Sequence, residues 1–360
     1  MLKFISKSAV VTAVFTGALL APAQDAPGPQ PRPLGVYTRD FDADVRRACD
    51  RGLAWLAQHQ QPNGAWKCKI AYKLYETYEG EDGDDVGVTA IACMAFVGAG
   101  NVPGRGKYGR NVERGLNFIL SCVREEDGYI TMHGTRMYSH AFATMFLAEI
   151  YGMSKRKDVK EKLRRAVDLI VAAQNKEGGW RYQPIPVDAD LSVTVSTLQA
   201  LRAARNVGLV VPLDTIERAM KYVKGCGTRY GFTYQLTNDY AFNDTRISYA
   251  LTGCGVVALF SSGLYDSREI RDGLRFLEEN RRQLRWGKYH YFYGHYYGSQ
   301  AMYLAGPRYW ETYYPRVKEE ILRGQRVDGA WQDDVGMTYA TAMALVVLQM
   351  PCEWLPIFQK

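Results

Sequence analysis

Two features that mark whole classes of protein are missing from this chain of 360 residues. It has no cluster of basic residues and, after its first twenty residues, no long apolar run. The formal net charge of +7 falls to +5 without Lys3 and Lys7, and the other basic residues are interspersed with acids. Nucleic-acid binding needs a basic patch or stripe and is therefore not expected. A membrane-spanning helix needs about 20 apolar residues, so none is expected beyond the N-terminal segment.

Cysteine is also sparse, and its pattern excludes a small disulfide-stapled domain. The seven cysteines are widely spaced and odd in number, whereas a disulfide framework is dense and even-numbered. Cys93 and Cys254 lie inside apolar helical runs, where a buried free thiol is the expected state. We therefore predict no particular disulfide.

The N-terminus is typical of an exported protein. Lys3 and Lys7 precede a short apolar stretch at 9–20, and Ala21-Pro22-Ala23 fits a small-x-small cleavage site. We predict a signal peptide at 1–23, a proline-rich linker at 24–40 and one domain at 41–360. The mature protein is expected to be secreted or periplasmic.

The domain contains a sequence repeat with a period of about fifty residues, which is typical of repeat architectures. Each copy is a helix-like stretch that ends on a glycine near a large aromatic residue. Apolar residues recur at helical spacing, as Leu53, Trp55 and Leu56 do in the first copy. Glycine then ends the helix, because it can adopt positive φ. The six copies lie at 51–66, 114–129, 165–180, 218–232, 272–286 and 316–331.

A second type of helix follows each copy and is apolar on nearly all sides. Such a helix must be buried on nearly all sides, so the amphipathic first helices are predicted to lie outside it. Near-equal periods favour closure of the six hairpins into a ring. We therefore predict an all-α fold, an α/α toroid with inner and outer rings of helices. The apolar segments lie at 88–96, 141–148, 193–201, 249–259, 299–304 and 339–348.

The motif Gln-x(n)-Gly-x-Trp, at 60–66, 174–180 and 325–331, resembles the Gln-Trp motif of the squalene cyclase and protein prenyltransferase repeat. The chain is similar to single-toroid secreted bacterial members of this superfamily. The resemblance implies one of three chemistries, each with its own signature. The zinc site of prenyltransferases needs Asp-x-Cys, which is absent here. The Gly-Cys-Gly-Glu-Gln motif of thioester domains is also absent, since 225–229 and 253–257 lack its last two residues.

The third signature is partly present. Class II terpene cyclases protonate an alkene with the middle acid of Asp-x-Asp-Asp. By resemblance, Asp190 is the acid and Asp188 is its neighbour, while Leu191 replaces the last carboxylate. The residues alone leave another interpretation open, in which Asp190 caps the following helix by accepting backbone N–H bonds three residues on.

Polar and aromatic residues recur where the inner helices are expected to begin, and these starts would line a toroid's cavity. The aromatic run at 289–297 could line an apolar cavity, stack on sugar rings or pack between hairpins. His295 is a candidate acid or base for one of the carboxylates. The other candidate ligand-binding residues are Asp85, His140, Asp244, Tyr249, Tyr293, Tyr296, Tyr297 and Tyr339.

Three functions compete. The main hypothesis is a terpenoid-cyclase or prenyltransferase-like toroid that holds an apolar, isoprenoid-like ligand in a central aromatic cavity. The alternatives are a carbohydrate-active lyase or hydrolase, and a non-catalytic binding or scaffold module. The hypotheses imply a small apolar or carbohydrate ligand, and no metal or other cofactor is predicted.

Overall fold

A computed structural model of the protein describes residues 38–70, 81–154, 156–236, 245–287 and 290–358. The predicted signal peptide and most of the predicted linker lie outside these ranges. Within them the chain forms twelve α-helices that alternate between outer and inner positions. The outer helices are α1 (Ala43–Gln58), α3 (Gly109–Ser121), α5 (Lys157–Ala172), α7 (Leu213–Cys226), α9 (Arg268–Glu279) and α11 (Pro307–Arg323). The inner helices are α2 (Val86–Gly98), α4 (Met137–Ser154), α6 (Leu191–Asn206), α8 (Tyr249–Ser261), α10 (Tyr291–Ala305) and α12 (Met337–Gln349).

The inner helices form a closed ring. Each packs on the next inner helix along the chain, and α12 packs on α2 to complete the circle. Each outer helix packs behind the ring against the inner helix that precedes it, and α1 packs against α12. The predicted all-α fold, a six-hairpin α/α toroid, is confirmed.

Burial separates the two rings as the hydrophobic patterns predict. Every residue of α2 is buried, because the helix has neighbours on all sides. In α5 the buried residues lie on one stripe at helical spacing, which includes Val159, Leu163 and Val167. Charged residues of α5 such as Lys160, Arg164 and Asp168 are exposed.

The motif tryptophan fixes each loop to the helix before it. In the first, third and sixth units this residue is almost fully buried, and its Nε1–H donates to a carbonyl in the last turn of its own outer helix. The donors and acceptors are Trp66 to Leu56 (2.8 Å), Trp180 to Ile170 (2.7 Å) and Trp331 to Ile321 (2.7 Å). The backbone N–H of the same residue donates to a threonine of the next inner helix, at Thr89, Thr194 and Thr341.

Where the motif glutamine is present, in the first, third and sixth units, it joins its unit to the next. Gln174 Nε2 donates to the carbonyl of Gly178 in its own loop (2.8 Å) and to that of Thr215 in α7 (2.9 Å). At the end of the chain, Gln325 Nε2 makes the same kind of bond to Ala48 of α1, 2.8 Å away. The ring is therefore closed by the interaction that joins its internal units.

The first arginine of a copy reinforces this junction from the other side. Arg114 donates to the carbonyls of Gln61 and Pro62 in the preceding loop, at 2.5 and 3.1 Å. Arg51 donates in the same way to the sixth loop, at the carbonyls of Arg326 (2.6 Å) and Val327 (3.0 Å). The motif glycine must stay small because it packs on this arginine's backbone: a Cβ on Gly64 would lie 2.3 Å from the carbonyl oxygen of Arg114.

Two units depart from the pattern that the repeat predicts. In the second unit the place of the motif tryptophan is taken by Ile130 rather than Tyr129, since the N–H of Ile130 donates to the inner helix, at His140 Nδ1 (3.0 Å). In the fifth unit Trp286 is 40% exposed and packs over Gly324, which follows α11. These two aromatics therefore do not take the position that the motif tryptophan has in the first, third and sixth units.

The two ends of the ring differ. The N-terminal ends of the inner helices form one end, here called the mouth, where the antiparallel strands β1 (Lys67–Ile70) and β2 (Glu81–Asp84) lead into α2. At the opposite end the C-terminal segment folds back over the ring, with Leu355, Ile357 and Phe358 buried. Its last turn, Pro356–Phe358, packs on α6. The mouth is therefore the end on which a candidate site must be sought.

Candidate functional site

Polar side chains cap three of the inner helices at the mouth, α2, α6 and α8. Asp85 accepts hydrogen bonds from the backbone N–H groups of Gly87 (2.8 Å) and Val88 (3.0 Å), and Ser248 accepts one from Leu251. Burial raises the pKa of Asp85, although its backbone bonds oppose the shift. Capping thus explains part of the recurrence of polar residues at these positions. The predicted site residue Asp244 lies outside the described residues.

Asp190 is a fully buried cap. Its Oδ1 accepts from the backbone N–H of Val193 (2.9 Å) and from the hydroxyl of Ser192 (2.6 Å). The capping interpretation of the sequence therefore describes this oxygen. Burial raises the pKa of Asp190, against the opposing effects of these hydrogen bonds and of Arg181. The role of Asp190 as a proton donor stays a prediction.

Arg181 connects Asp190 to Asp188. Its Nε lies 3.6 Å from Asp190 Oδ2 and its Nη1 lies 3.4 Å from Asp188 Oδ2. The carboxylate of Asp190 is inaccessible, whereas the side chain of Asp188 is 56% exposed. The guanidinium also lies over the rings of Tyr182 (5.1 Å) and Tyr234 (5.7 Å), whose hydroxyls are hydrogen-bonded to each other. The guanidinium of Arg181 therefore lies between the carboxylates of the predicted acid pair and packs over two tyrosine rings.

Half-buried tyrosines form the floor of the mouth. Tyr138 in the first turn of α4 meets Tyr293 of α10 edge to face, with ring centroids 6.5 Å apart, and lies 6.2 Å from Tyr182. The Tyr293 hydroxyl lies 3.4 Å from the carbonyl oxygen of Ser192, next to Asp190. This floor therefore reaches the Arg181 group. Tyr339, also half-buried, begins α12 beside Asp333, and burial raises its pKa.

Below this floor the ring axis is filled by the protein's own side chains. Phe142 of α4 meets Tyr296 of α10 across the ring, with centroids 5.9 Å apart, and Tyr297 packs on Tyr296 at 4.8 Å. Deeper still, Gln199 of α6 donates to Gln300 of α10 at 2.5 Å. Tyr296 contacts Phe358 of the C-terminal segment, at 6.3 Å. The described side chains thus occupy the axis from the mouth to the far end.

The helical phase of α10 separates His295 from the mouth. The aromatic run, expected at a helix start, forms the first two turns of α10, so its rings point in different directions. Tyr293 and Tyr297, four residues apart, face the axis side and pack at 4.9 Å. Tyr291 and His295, also four apart, pack at 4.5 Å on the outer side.

His295 and Tyr249 lie together behind the ring wall rather than at the mouth. The Nδ1 atom of His295 lies 2.8 Å from the hydroxyl of Tyr313 in α11, and burial lowers the pKa of His295 to about 3. Tyr249, 1% exposed, lies beside the same hydroxyl. The structure therefore brings neither residue to the mouth carboxylates, and the neutral imidazole is a poor acid at neutral pH.

His140 is a structural residue. Its Nδ1 accepts the N–H of Ile130, and its Nε2 lies 3.1 Å from the carbonyl oxygen of Ala166. Full burial lowers its pKa to about 4. In effect His140 of α4 takes the position of the threonine in the other units, and both of its ring nitrogens contact backbone groups of the protein.

The sequence analysis missed Arg181, Tyr182 and Tyr234. The first two could have been predicted from their place in the sequence. Arg181 and Tyr182 directly follow the motif tryptophan at 180, and only a short loop separates them from the acid pair. Tyr234 carried none, because it reaches the group through a contact between units: the N–H of Leu191 donates to its carbonyl, at 2.8 Å.

The described residues contain no group of three or more His, Cys, Asp or Glu side chains arranged to hold a metal ion. Cys93 and Cys254 are fully buried, in α2 and α8. None of the helices in the described part of the chain is long and apolar enough to cross a membrane.

Known structures share this fold at low sequence identity. A type II terpene cyclase variant from Scytonema, bound to geranylgeranyl dihydroxybenzoate, matches with a TM-score of 0.60 and 12% identity, over 88% of this chain and 100% of that chain. The cellobiose 2-epimerase of Spirochaeta thermophila matches with a TM-score of 0.64 and 13% identity, over 88% of this chain and 97% of its own. An inactive alpha-1,6-mannanase of Salegentibacter, bound to alpha-1,6-mannotriose, matches with a TM-score of 0.62 and 10% identity, over 86% and 98%.

These similarities confirm the α/α toroid and, at such identities, show the fold alone. No protein-family model matches the chain, and no curated protein matches its sequence. The fold is thus shared by proteins with different chemistry, so function must be argued from the site.

Proposed function

We propose that the protein binds a small carbohydrate-type ligand at the mouth of its toroid. The observation that carries this proposal is the tyrosine floor, formed by Tyr138, Tyr182 and Tyr293, beside the charged group of Arg181 and Asp188. A sugar presents an apolar ring face and several hydroxyls. Tyrosine rings can pack on such a face, while tyrosine hydroxyls and charged side chains bond to the hydroxyl groups.

The packing of the axis favours this ligand over an isoprenoid. An apolar chain inside the ring would have to displace Phe142, Tyr296 and Tyr297, which contact one another there. Displacing well-packed aromatics costs several kcal/mol, about 3–5 for removal of a buried phenylalanine. The mouth is lined by tyrosines and charged side chains, which suits a polar ring better than a long hydrocarbon. The central cavity of the main sequence hypothesis therefore receives no support from these contacts.

The structural neighbours are compatible with this choice. Two of the three neighbours described above are, by name, a cellobiose 2-epimerase and an alpha-1,6-mannanase, and the latter is bound to a trisaccharide. The toroid thus accommodates sugar ligands as well as a terpenoid substrate. Export, predicted from the N-terminal segment, would expose the mouth to extracellular glycans.

In this proposal Asp190 is a positioning residue. Its carboxylate is fully buried and directs Arg181, whereas Asp188 is the acid that a ligand at the rim can reach. The proposed activity is binding, and no catalytic step is assigned to either acid.

Calorimetric titration with cello-oligosaccharides, alpha-1,6-manno-oligosaccharides and, in detergent, geranylgeraniol tests the proposal. We expect saturable binding of at least one sugar series and none of the isoprenoid. Tyr138→Ala should weaken sugar binding about tenfold through the lost ring contact, while Tyr138→Phe should retain most of the affinity.

Tyr309→Ala is the matched control, because Tyr309 is also half-buried but begins α11 at the opposite end of the toroid. Circular dichroism establishes that each variant is folded. Binding of geranylgeraniol alone, or equal losses in Tyr138→Ala and Tyr309→Ala, would contradict the proposal.

A further inference from the structure

A groove of about 240 Å³ opens at the rim of the mouth, outside the ring axis. One side is formed by the loop of the third motif, at Lys176 and Glu177, and the other by Gln235 and Leu236. The segment 187–189 and Tyr222 of α7 also line it. The groove therefore lies between the third and fourth units.

The groove and the mouth share a wall. Asp188 lines the groove and also contacts Arg181, whose guanidinium lies over the tyrosines beside the mouth. The next residues along this wall are Ala189, whose carbonyl accepts from Gln235 Nε2 at 3.0 Å, and the cap Asp190. Asp188 is therefore common to the groove and to the charged group beside the mouth.

The chemistry of the groove suits one further sugar unit. Lys176, Glu177 and Asp188 supply charged hydrogen-bonding groups, and Val187 supplies an apolar surface that is 71% exposed. Tyr222 is 2% exposed, and among the described residues its hydroxyl lies beside the thiol of Cys226, a weak hydrogen-bond partner. The volume of the groove is below the roughly 300–1,000 Å³ of sites that enclose a drug-sized ligand. The groove therefore fits one sugar ring rather than a whole oligomer.

We infer that this groove extends the mouth into a site for an oligosaccharide, in which one unit lies on the tyrosines and another in the groove. The inference rests on the proposed function, because it assigns the class of ligand that the same site takes. The ligand is therefore a chain of sugars rather than a monosaccharide.

Titration with one sugar series at increasing chain length tests this inference. Affinity should rise about tenfold or more between the length that fills the mouth and the length that also reaches the groove. Val187→Trp, which fills the groove, should abolish this gain and leave the affinity for the shortest ligand unchanged. Lys176→Ala, in an exposed loop, should reduce the gain without perturbing the fold.

Val210→Trp is the matched control. Val210 is 90% exposed and follows α6 at the end of the toroid opposite to the mouth. The affinity of the Val210→Trp variant should therefore depend on chain length as that of the unmodified protein does. Affinity that does not depend on chain length, or a Val187→Trp profile identical to that of Val210→Trp, would overturn the groove assignment while leaving binding at the mouth intact. Absence of binding to any sugar would overturn the proposed function as well.

Discussion

The two carboxylate oxygens of Asp190 have different partners. Its Oδ1 caps α6, as the simple structural interpretation requires, while its Oδ2 faces Arg181. A capping carboxylate normally lies at the protein surface, but here the whole residue is buried. Removal of the side chain should therefore leave both an uncapped helix and an arginine without its buried partner.

We expect Asp190→Ala to lower the free energy of unfolding by at least about 1 kcal/mol, because loss of a cap alone costs about 0.5–2 kcal/mol. Asp190→Asn should cost less, since asparagine caps as well as aspartate, although it loses the charge that faces Arg181. Urea denaturation gives both values. Ser248→Ala, which removes the cap of α8 without a charged partner, is the control. If Asp190→Asn were as destabilising as Asp190→Ala, capping would not be the main contribution of this carboxylate.

At the scale of single elements, the sequence predicted which helices lie inside but not how their side chains meet. The inner helices were predictable because all-round hydrophobicity requires all-round burial. The filling of the axis was not, since Phe142 and Tyr296 belong to opposite helices of the ring, and their contact depends on the ring radius. The position of His295 was also not predictable from the sequence. The aromatic run was expected at a helix start, but α10 already begins at Tyr291, so His295 lies in the second turn of the helix.

The filled axis leads to a prediction about α4. Phe142→Ala should lower the free energy of unfolding by about 3–5 kcal/mol, as for a phenylalanine in a close-packed core. Phe118→Ala in the outer helix α3 is the control, because both residues are 5% exposed. Thermal and urea denaturation should therefore give similar losses for the two variants. A near-zero loss for Phe142→Ala would instead indicate that its ring lines an open cavity, which would restore the isoprenoid hypothesis.

The same glutamine contact recurs at three of the junctions between units, including the one that joins the ends of the ring. Gln325 reaches Ala48 across 277 residues of sequence, and Gln60 reaches Asn111 in the next unit. In an open stack of repeats the terminal units fray, because each contacts a neighbour on one side only. In a closed ring no unit is terminal, so the last junction should unfold together with the others.

Gln60→Glu and Gln325→Glu test whether the closing junction is equivalent to an internal one. Each glutamine is half-buried and donates from Nε2 to two carbonyls, so a carboxylate there loses both bonds and meets two carbonyl oxygens. We expect each variant to lose about 1–3 kcal/mol of stability at neutral pH, in a single urea transition. Burial beside the carbonyls should raise the pKa of the new carboxyl in the folded state, so the loss should shrink as the pH falls and the carboxyl regains a donor. A marginal effect of Gln325→Glu beside a large effect of Gln60→Glu would mean that the sixth and first units separate independently and that the ring behaves as an open solenoid.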